Sequence, residues 1–281
     1  MSFRKRHPIS VQLLSKQVKH LIDQGKRIDG RNFHSFRQIR IKTRVIENAD
    51  GSAYVELGNT VVVAGVKFEI GTPFPDTPDE GILIVEGEVL PLASIEAEPG
   101  PPTEDEIELS RVVDRGIRES KMLNLKELAI KPGEKVLKVF VDFNVINDAG
   151  NVIDASNLAT VSALLTAKCP NLEELKASNS TTIKDVTRVP LPIYDVPVSI
   201  TFANLFGKLV VDPTTEEEAV MLSRLTITLT KDNRICAIQK GEKGTLSFDQ
   251  ILEALEIAKK VSYQVRKKIL DATGIEQKGV P

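Results

Sequence analysis

The sequence predicts an α+β protein made of two strand-and-helix halves behind an N-terminal helix, and three patterns carry that prediction. Residues 37–90 and 196–239 each hold several alternating or β-branched runs broken by turn residues. Thr103-Glu-Asp-Glu106 and Ser247-Phe-Asp-Gln250 both fit a capping box, so a helix follows each set of strands. Between them lies a strand–turn–helix unit from Val139 to Lys168, whose helix is apolar or small on nearly every side. A helix with no wide polar face has to be covered on more than one side, which puts this unit in the middle of the fold. Its turn, Asn147-Asp-Ala-Gly-Asn151, opens a helix whose first N–H groups lack partners, a place where phosphate can bind.

Taken in order, residues 9–24 have helical spacing (Ile9, Val11, Leu14, Val18, Leu21, Ile22) ended by Gly25. This helix is free to pack on the main body or on a neighbour. From Arg37 to Val45 the pattern alternates strictly, with Ile39, Ile41, Thr43 and Val45 on one face and Arg40, Lys42 and Arg44 on the other. Those cations form a solvated strand face or add to RNA attraction. Asp50-Gly51 and Gly58-Asn59 are turns that join this strand to Ser52–Leu57 and then to Thr60–Phe68, an antiparallel meander. A Pro- and Asp-rich loop over 72–80 precedes a strand at Ile82–Leu90, and Pro99-Gly-Pro-Pro102 leads into the next helix.

On that helix Leu109, Val112, Val113, Gly116, Ile117 and Leu123 form a core face at 100° per residue. Arg111, Arg115 and Arg118 fall together on the opposite side, the first two about 5–6 Å apart at Cβ. Either they are an ordinary exposed face paired with Glu108 and Glu119, or they hold a phosphate backbone. After the central unit, residues 171–192 are polar and turn-rich. Strands are then expected at Val196–Phe202, Lys208–Val211, Leu225–Thr230 and Ile235–Gln239, with a long helix from Ser247 to about Leu270. The expected division is a helical arm over 1–28, a first half over 29–170 and a second half over 190–281.

Composition narrows the function. The 281 residues are 41% hydrophobic, enough for a core, and the 37 basic and 39 acidic residues nearly cancel. Any polyanion site is therefore a local patch, or is shared with a partner. No apolar run approaches the ~18 residues of a membrane span. Met1-Ser-Phe-Arg-Lys-Arg6 lacks the apolar stretch of a secretory signal, and Cys169 and Cys236 have no metal spacing. A cytoplasmic protein without a metal site is expected. His7, His20 and His34 all lie near the N-terminus, so no His-based nucleophile system assembles comfortably.

Several motifs together resemble the RNase PH family over roughly residues 28–270: Asp29-Gly-Arg31, Gly51-Ser-Ala-Tyr-Val-Glu-Leu-Gly-Asn-Thr60, the Glu106–Leu123 helix, Asp148–Ala155 and Val211–Glu218. Within that family the chain is similar to the archaeal exosome ring subunit that is inactive alone and alternates with a catalytic RNase PH-like partner. The resemblance implies an RNase PH-like fold, a hexameric ring with RNA-binding cap subunits, and shortening of RNA from its 3′ end. Inorganic phosphate is then co-substrate of the complex, attacking the terminal phosphodiester and releasing a nucleoside diphosphate, and no cofactor belongs to this chain alone.

Two departures from the family pattern point to a degenerate site with no catalytic residues. Active members carry a Gly-Thr-Arg-Ser type of turn where this chain has Gly150-Asn-Val-Ile153, and neither Val152 nor Ile153 has a side chain that donates to phosphate. Leu222 stands where a catalytic aspartate is expected, and it offers no acid–base chemistry. Asp212 and Glu216 to Glu218 remain nearby, expected as a solvated helix cap. Arg111 and Arg115 match family positions facing the RNA path or phosphate site, and Arg118 is the third candidate RNA-binding residue.

Overall fold

A computed structural model describes residues 8–275 apart from 96, 179–182, 184 and 185. The extreme N-terminus, with Met1–Arg6 and His7, and the last six residues lie outside the described residues. The helix α1 (Pro8–Asp23) comes first. Strands β1 (Ile39–Thr43), β2 (Gly51–Leu57), β3 (Thr60–Gly71) and β4 (Ile82–Val89) precede helix α2 (Glu104–Glu119). Then follow β5 (Ala129–Lys131), β6 (Lys135–Asn147) and α3 (Val152–Leu165). The short strand β7 (Lys168–Pro170) follows, and α4 (Leu172–Ser178) and β8 (Arg188–Pro190) lie in the polar, turn-rich stretch after it. The second half holds β9 (Val198–Leu205), β10 (Lys208–Val211), α5 (Thr215–Glu218), β11 (Ser223–Leu229), β12 (Ile235–Gly241) and α6 (Phe248–Thr273).

The first sheet runs β1-β2-β3-β6-β4, antiparallel except where β4 lies parallel to β6. Its β4 edge is closed by α2: Val89 N–H donates to Glu106 Oε1 at 3.0 Å, and Gly87 N–H donates to Ser110 Oγ at 3.0 Å. An edge amide satisfied in this way is not open to a stray strand. The second sheet runs β10-β9-β11-β12 and is antiparallel throughout.

Helix α3 lies between the two sheets, and all of its residues are buried, as its lack of a polar face requires. Its small residues let strands come close. A Cβ added to Gly51 of β2 would stand 2.5 Å from the carbonyl of Ala163, so glycine is needed there. Its few polar residues act as strand substitutes. β10 ends at Val211, leaving part of β9 without a neighbour on that side. Asn157 Oδ1 accepts the N–H of Ser199 at 3.0 Å, and Asp154 Oδ2 accepts that of Thr201 at 2.9 Å. These bonds satisfy buried backbone donors and tie the first half to the second.

Helix α1 packs on its own chain: Val18 and Ile22 are buried against Ala203, Leu205, Val210 and Val220 of the second half. Helix α6 begins at a capping box between Ser247 and Gln250 and stops at Gly274, which has φ 69°. Among the described residues no helix is long and apolar enough to cross a membrane.

Candidate functional site

The turn before α3 is fixed by contacts from both halves. Gly150 has φ 92°, and a Cβ there would stand 2.6 Å from the backbone of Thr214 and Thr215. Only glycine lets the second-half loop lie so close. The Gly150 carbonyl accepts from Thr60 Oγ1 at 2.6 Å and from Arg37 Nη2 at 2.9 Å. Asn151 follows in the left-handed region at φ 55°, which asparagine tolerates better than most residues. Its N–H donates to Glu218 Oε1 at 2.8 Å, and its Nδ2 donates to Asp154 at 2.9 Å and to Asp212 at 2.8 Å. Val152 and Ile153, the apolar replacements in the motif, are buried in the main core and present nothing to solvent.

A buried ionic network surrounds this turn. The Asp212 carboxylate, fully buried, accepts from Arg31 Nη1 at 2.8 Å, from Arg37 N, Nε and Nη2 at 2.7–3.0 Å, and from Asn151. Arg27 and Glu217 face each other in two bonds of 2.8 and 2.5 Å, with neither side chain exposed. Charge-assisted forks of this kind are strong and rigid where water is excluded.

The expectation of a solvated cap over Glu216–Glu218 is therefore corrected. Glu217 is fully buried on Arg27, and Glu218 turns inward to the Asn151 amide. Local sequence shows a capping pattern but not a cation that lies 190 residues away.

Two carboxyls here touch no arginine. Burial pushes Asp154 up to about 7 despite its bonds to Asn151 and Thr201. Burial, helped by repulsion from Asp148, likewise pushes Glu218 up to about 7. The N-terminal end of α3 is thus ringed by Asp148, Asp154, Asp212 and Glu218, and its N-cap amide is already answered by a carboxylate. An anion site needs free donors, and this amide is not free.

Leu222 lies just before β11 and is 48% exposed. Its backbone is pinned, N–H to the Asn204 carbonyl at 2.9 Å and carbonyl to the Gly244 N–H at 2.7 Å. No acid–base group stands at this position.

On α2 the three arginines divide. Arg111 and Arg115 are exposed and have no ion-pair partner among the described residues. Arg118 is held by Asp114 at 2.7 and 3.0 Å and donates to the Leu83 carbonyl at 2.9 Å. The expected pairing of Glu108 with these arginines does not occur. Glu108 instead accepts from buried Arg224 of β11 at 2.8 Å and from Gln239 at 3.1 Å. Sequence reasoning missed Arg27, Arg37 and Arg224. Their partners are 190, 175 and 116 residues away, so no local spacing betrays them.

The comparisons with known proteins agree with one another. The 3′ exoribonuclease family, domain 1 (RNase_PH), matches residues 35–170, and domain 2 of the same family (RNase_PH_C) matches residues 195–261. The chain is 44% identical over 266 residues to the exosome complex component Rrp42 of Thermococcus kodakarensis, covering 95% of this chain and 97% of that protein. It is 44% identical over 260 residues to the protein of the same name in Pyrococcus horikoshii, covering 92% and 94%. Among solved structures, a chain of the Archaeoglobus fulgidus exosome with RNA bound to the active site superposes with a TM-score of 0.85 at 43% identity, covering 92% and 99%. An archaeal exosome core chain gives 0.82 at 41% identity, covering 93% and 98%.

Proposed function

This chain belongs to the 3′ exoribonuclease family of RNase PH, and from that membership we propose that it is a non-catalytic ring subunit of an archaeal exosome. It pairs with a catalytic RNase PH-like subunit in an alternating hexameric ring, and that ring carries RNA-binding cap subunits. The assembly shortens RNA from the 3′ end with inorganic phosphate as co-substrate. This subunit builds the interface and guides the strand; its partner supplies the phosphate pocket.

One observation carries the assignment. The N-cap amide of α3, where an attacking phosphate would need a donor, is taken by Glu218, and the two residues after it are buried and apolar. Stabilising the transferring phosphoryl group requires positive charge and aimed donors, and at this turn the guanidinium groups of Arg31 and Arg37 are already committed to Asp212. Leu222 removes the proton-handling group as well. Arg111 and Arg115 support the guiding role, because a free guanidinium grips phosphate oxygens without reading sequence.

Reconstitution tests the proposal. Mixed with a catalytic RNase PH-like subunit, the chain should form a mixed ring that degrades RNA only when phosphate is present. An active ring made of this chain alone would refute it.

A further inference from the structure

The C-terminal half of α6 carries cations that the fold does not use. Among the described residues the helix's ion pair is Lys259 with Glu256 at 2.7 Å, which leaves Lys260, Lys267 and Lys268 exposed and unpaired. Lys260, Gln264 and Lys267 follow one face at helical spacing, and Tyr263, 60% exposed, sits between the lysines. Lys260 and Lys268 are about 12 Å apart along the axis. A cleft of about 370 Å³ opens beside Tyr263 and Lys267. A second, of about 250 Å³, lies between Lys268 on one side and His34, Phe36 and Gln38 on the other.

That second cleft joins the helix to the edge strand β1. Gln38 lines it and accepts from Arg40 Nη2 at 3.2 Å, and two residues further on Lys42 lies 5.7 Å over the Tyr54 ring. Arg40 is only loosely matched by Glu56, at 3.4 Å on the surface. Arg40 and Lys42 point to the face of β1 opposite Ile39, which lines the cleft, so the band itself runs along α6 from Lys260 past Tyr263 and Lys267 to Lys268, and across the cleft to Phe36 and His34.

We infer that this band is a second contact surface for single-stranded RNA, separate from the arginines of α2. The inference rests on the reading of the chain as an RNA-guiding subunit. Its chemistry is that of sequence-tolerant strand binding, in which lysines follow phosphates and exposed rings and clefts receive bases. An acidic protein segment would need the charges but not the rings, so Tyr263 distinguishes the two occupants.

The test uses the full chain and a short fluorescent oligouridylate, followed by anisotropy over a range of salt. Lys260→Glu, Lys267→Glu and Lys268→Glu together should weaken binding about tenfold and flatten the slope of log K against log salt by about 2, as three lost contacts require. Tyr263→Ala should weaken binding about threefold with the slope unchanged. Unchanged affinity and slope in the triple variant would overturn the inference. So would displacement of the RNA by polyglutamate with no dependence on Tyr263. If Arg111→Glu with Arg115→Glu abolishes RNA binding while the α6 triple variant does not, this surface fails and the guiding role stands. If neither variant changes RNA binding, both fall.

Discussion

Asn151 donates its backbone N–H to Glu218 Oε1 across 2.8 Å, a bond between residues 67 apart in the chain. It joins the turn that opens α3 in the first half to α5 in the second. A helix N-terminus attracts anions through its free amides and its dipole. Here the amide is answered by the protein's own Glu218 carboxyl.

The pH dependence of stability should report this arrangement. Glu218 and Asp154 are held near 7 in the folded chain, against ordinary values near 4. Between those pH values the folded state keeps protons that the unfolded state releases. Their contribution is therefore fully present below about pH 4 and is lost as pH rises through about 7. Glu218→Gln keeps an acceptor for the Asn151 amide and removes the titration. Relative to this variant, the wild type should lose on the order of 3 °C in Tm between pH 4 and 7. Parallel Tm curves for the two proteins would contradict the assignment.

Asp212 is the hinge of the ionic network, fully buried and bonded to Arg31, Arg37 and Asn151. Asp212→Ala leaves Arg37 without its carboxylate, while Arg31 keeps Asp29 at 2.6 Å, and breaking a buried pair in this way costs about 3–5 kcal/mol. Urea denaturation measures it. A loss below about 1 kcal/mol would mean that the network is solvated and contributes little.

Gly150→Ala forces a Cβ against the Thr214–Thr215 backbone at 2.6 Å and strains a residue at φ 92°. The cost should be at least about 2 kcal/mol, read in the same denaturation experiment. Near-neutral behaviour would show that the second-half loop moves aside freely.

Much of this was legible in the sequence, for physical reasons. Helix α3 announced its central position because a helix without a polar face has to be enclosed. The starts of α2 and α6 were readable because Thr103 with Glu106 and Ser247 with Gln250 satisfy their own helix ends within four residues. Arg40 and Lys42 alternate outward as their spacing required. The ionic network was not legible. Arg37 and Asp212 meet only after the sheet order is set, and Glu217 looks like any cap residue until Arg27 is brought to it. The same limit applies to Arg118, which shares a helical face with Arg111 and Arg115 but is drawn aside by Asp114 and the Leu83 carbonyl.

That division of the arginines gives a further expectation. Arg111→Glu with Arg115→Glu should weaken RNA retention by the assembled ring at least about tenfold at moderate salt while leaving assembly intact. Arg118→Ala, whose guanidinium is already engaged, should change RNA affinity less than about twofold. Filter binding together with sizing of the complex separates these outcomes, and equal losses from both variants would show that Arg118 releases Asp114 to reach the strand.

Release of nucleoside diphosphates from a 3′ RNA tail by the purified chain, in phosphate and without any partner, is the direct measure of the site. With Glu218 on the α3 amide and leucine at position 222, no product should accumulate. Steady, phosphate-dependent release by this chain alone would mean that the turn opens to phosphate after all, and that the site works.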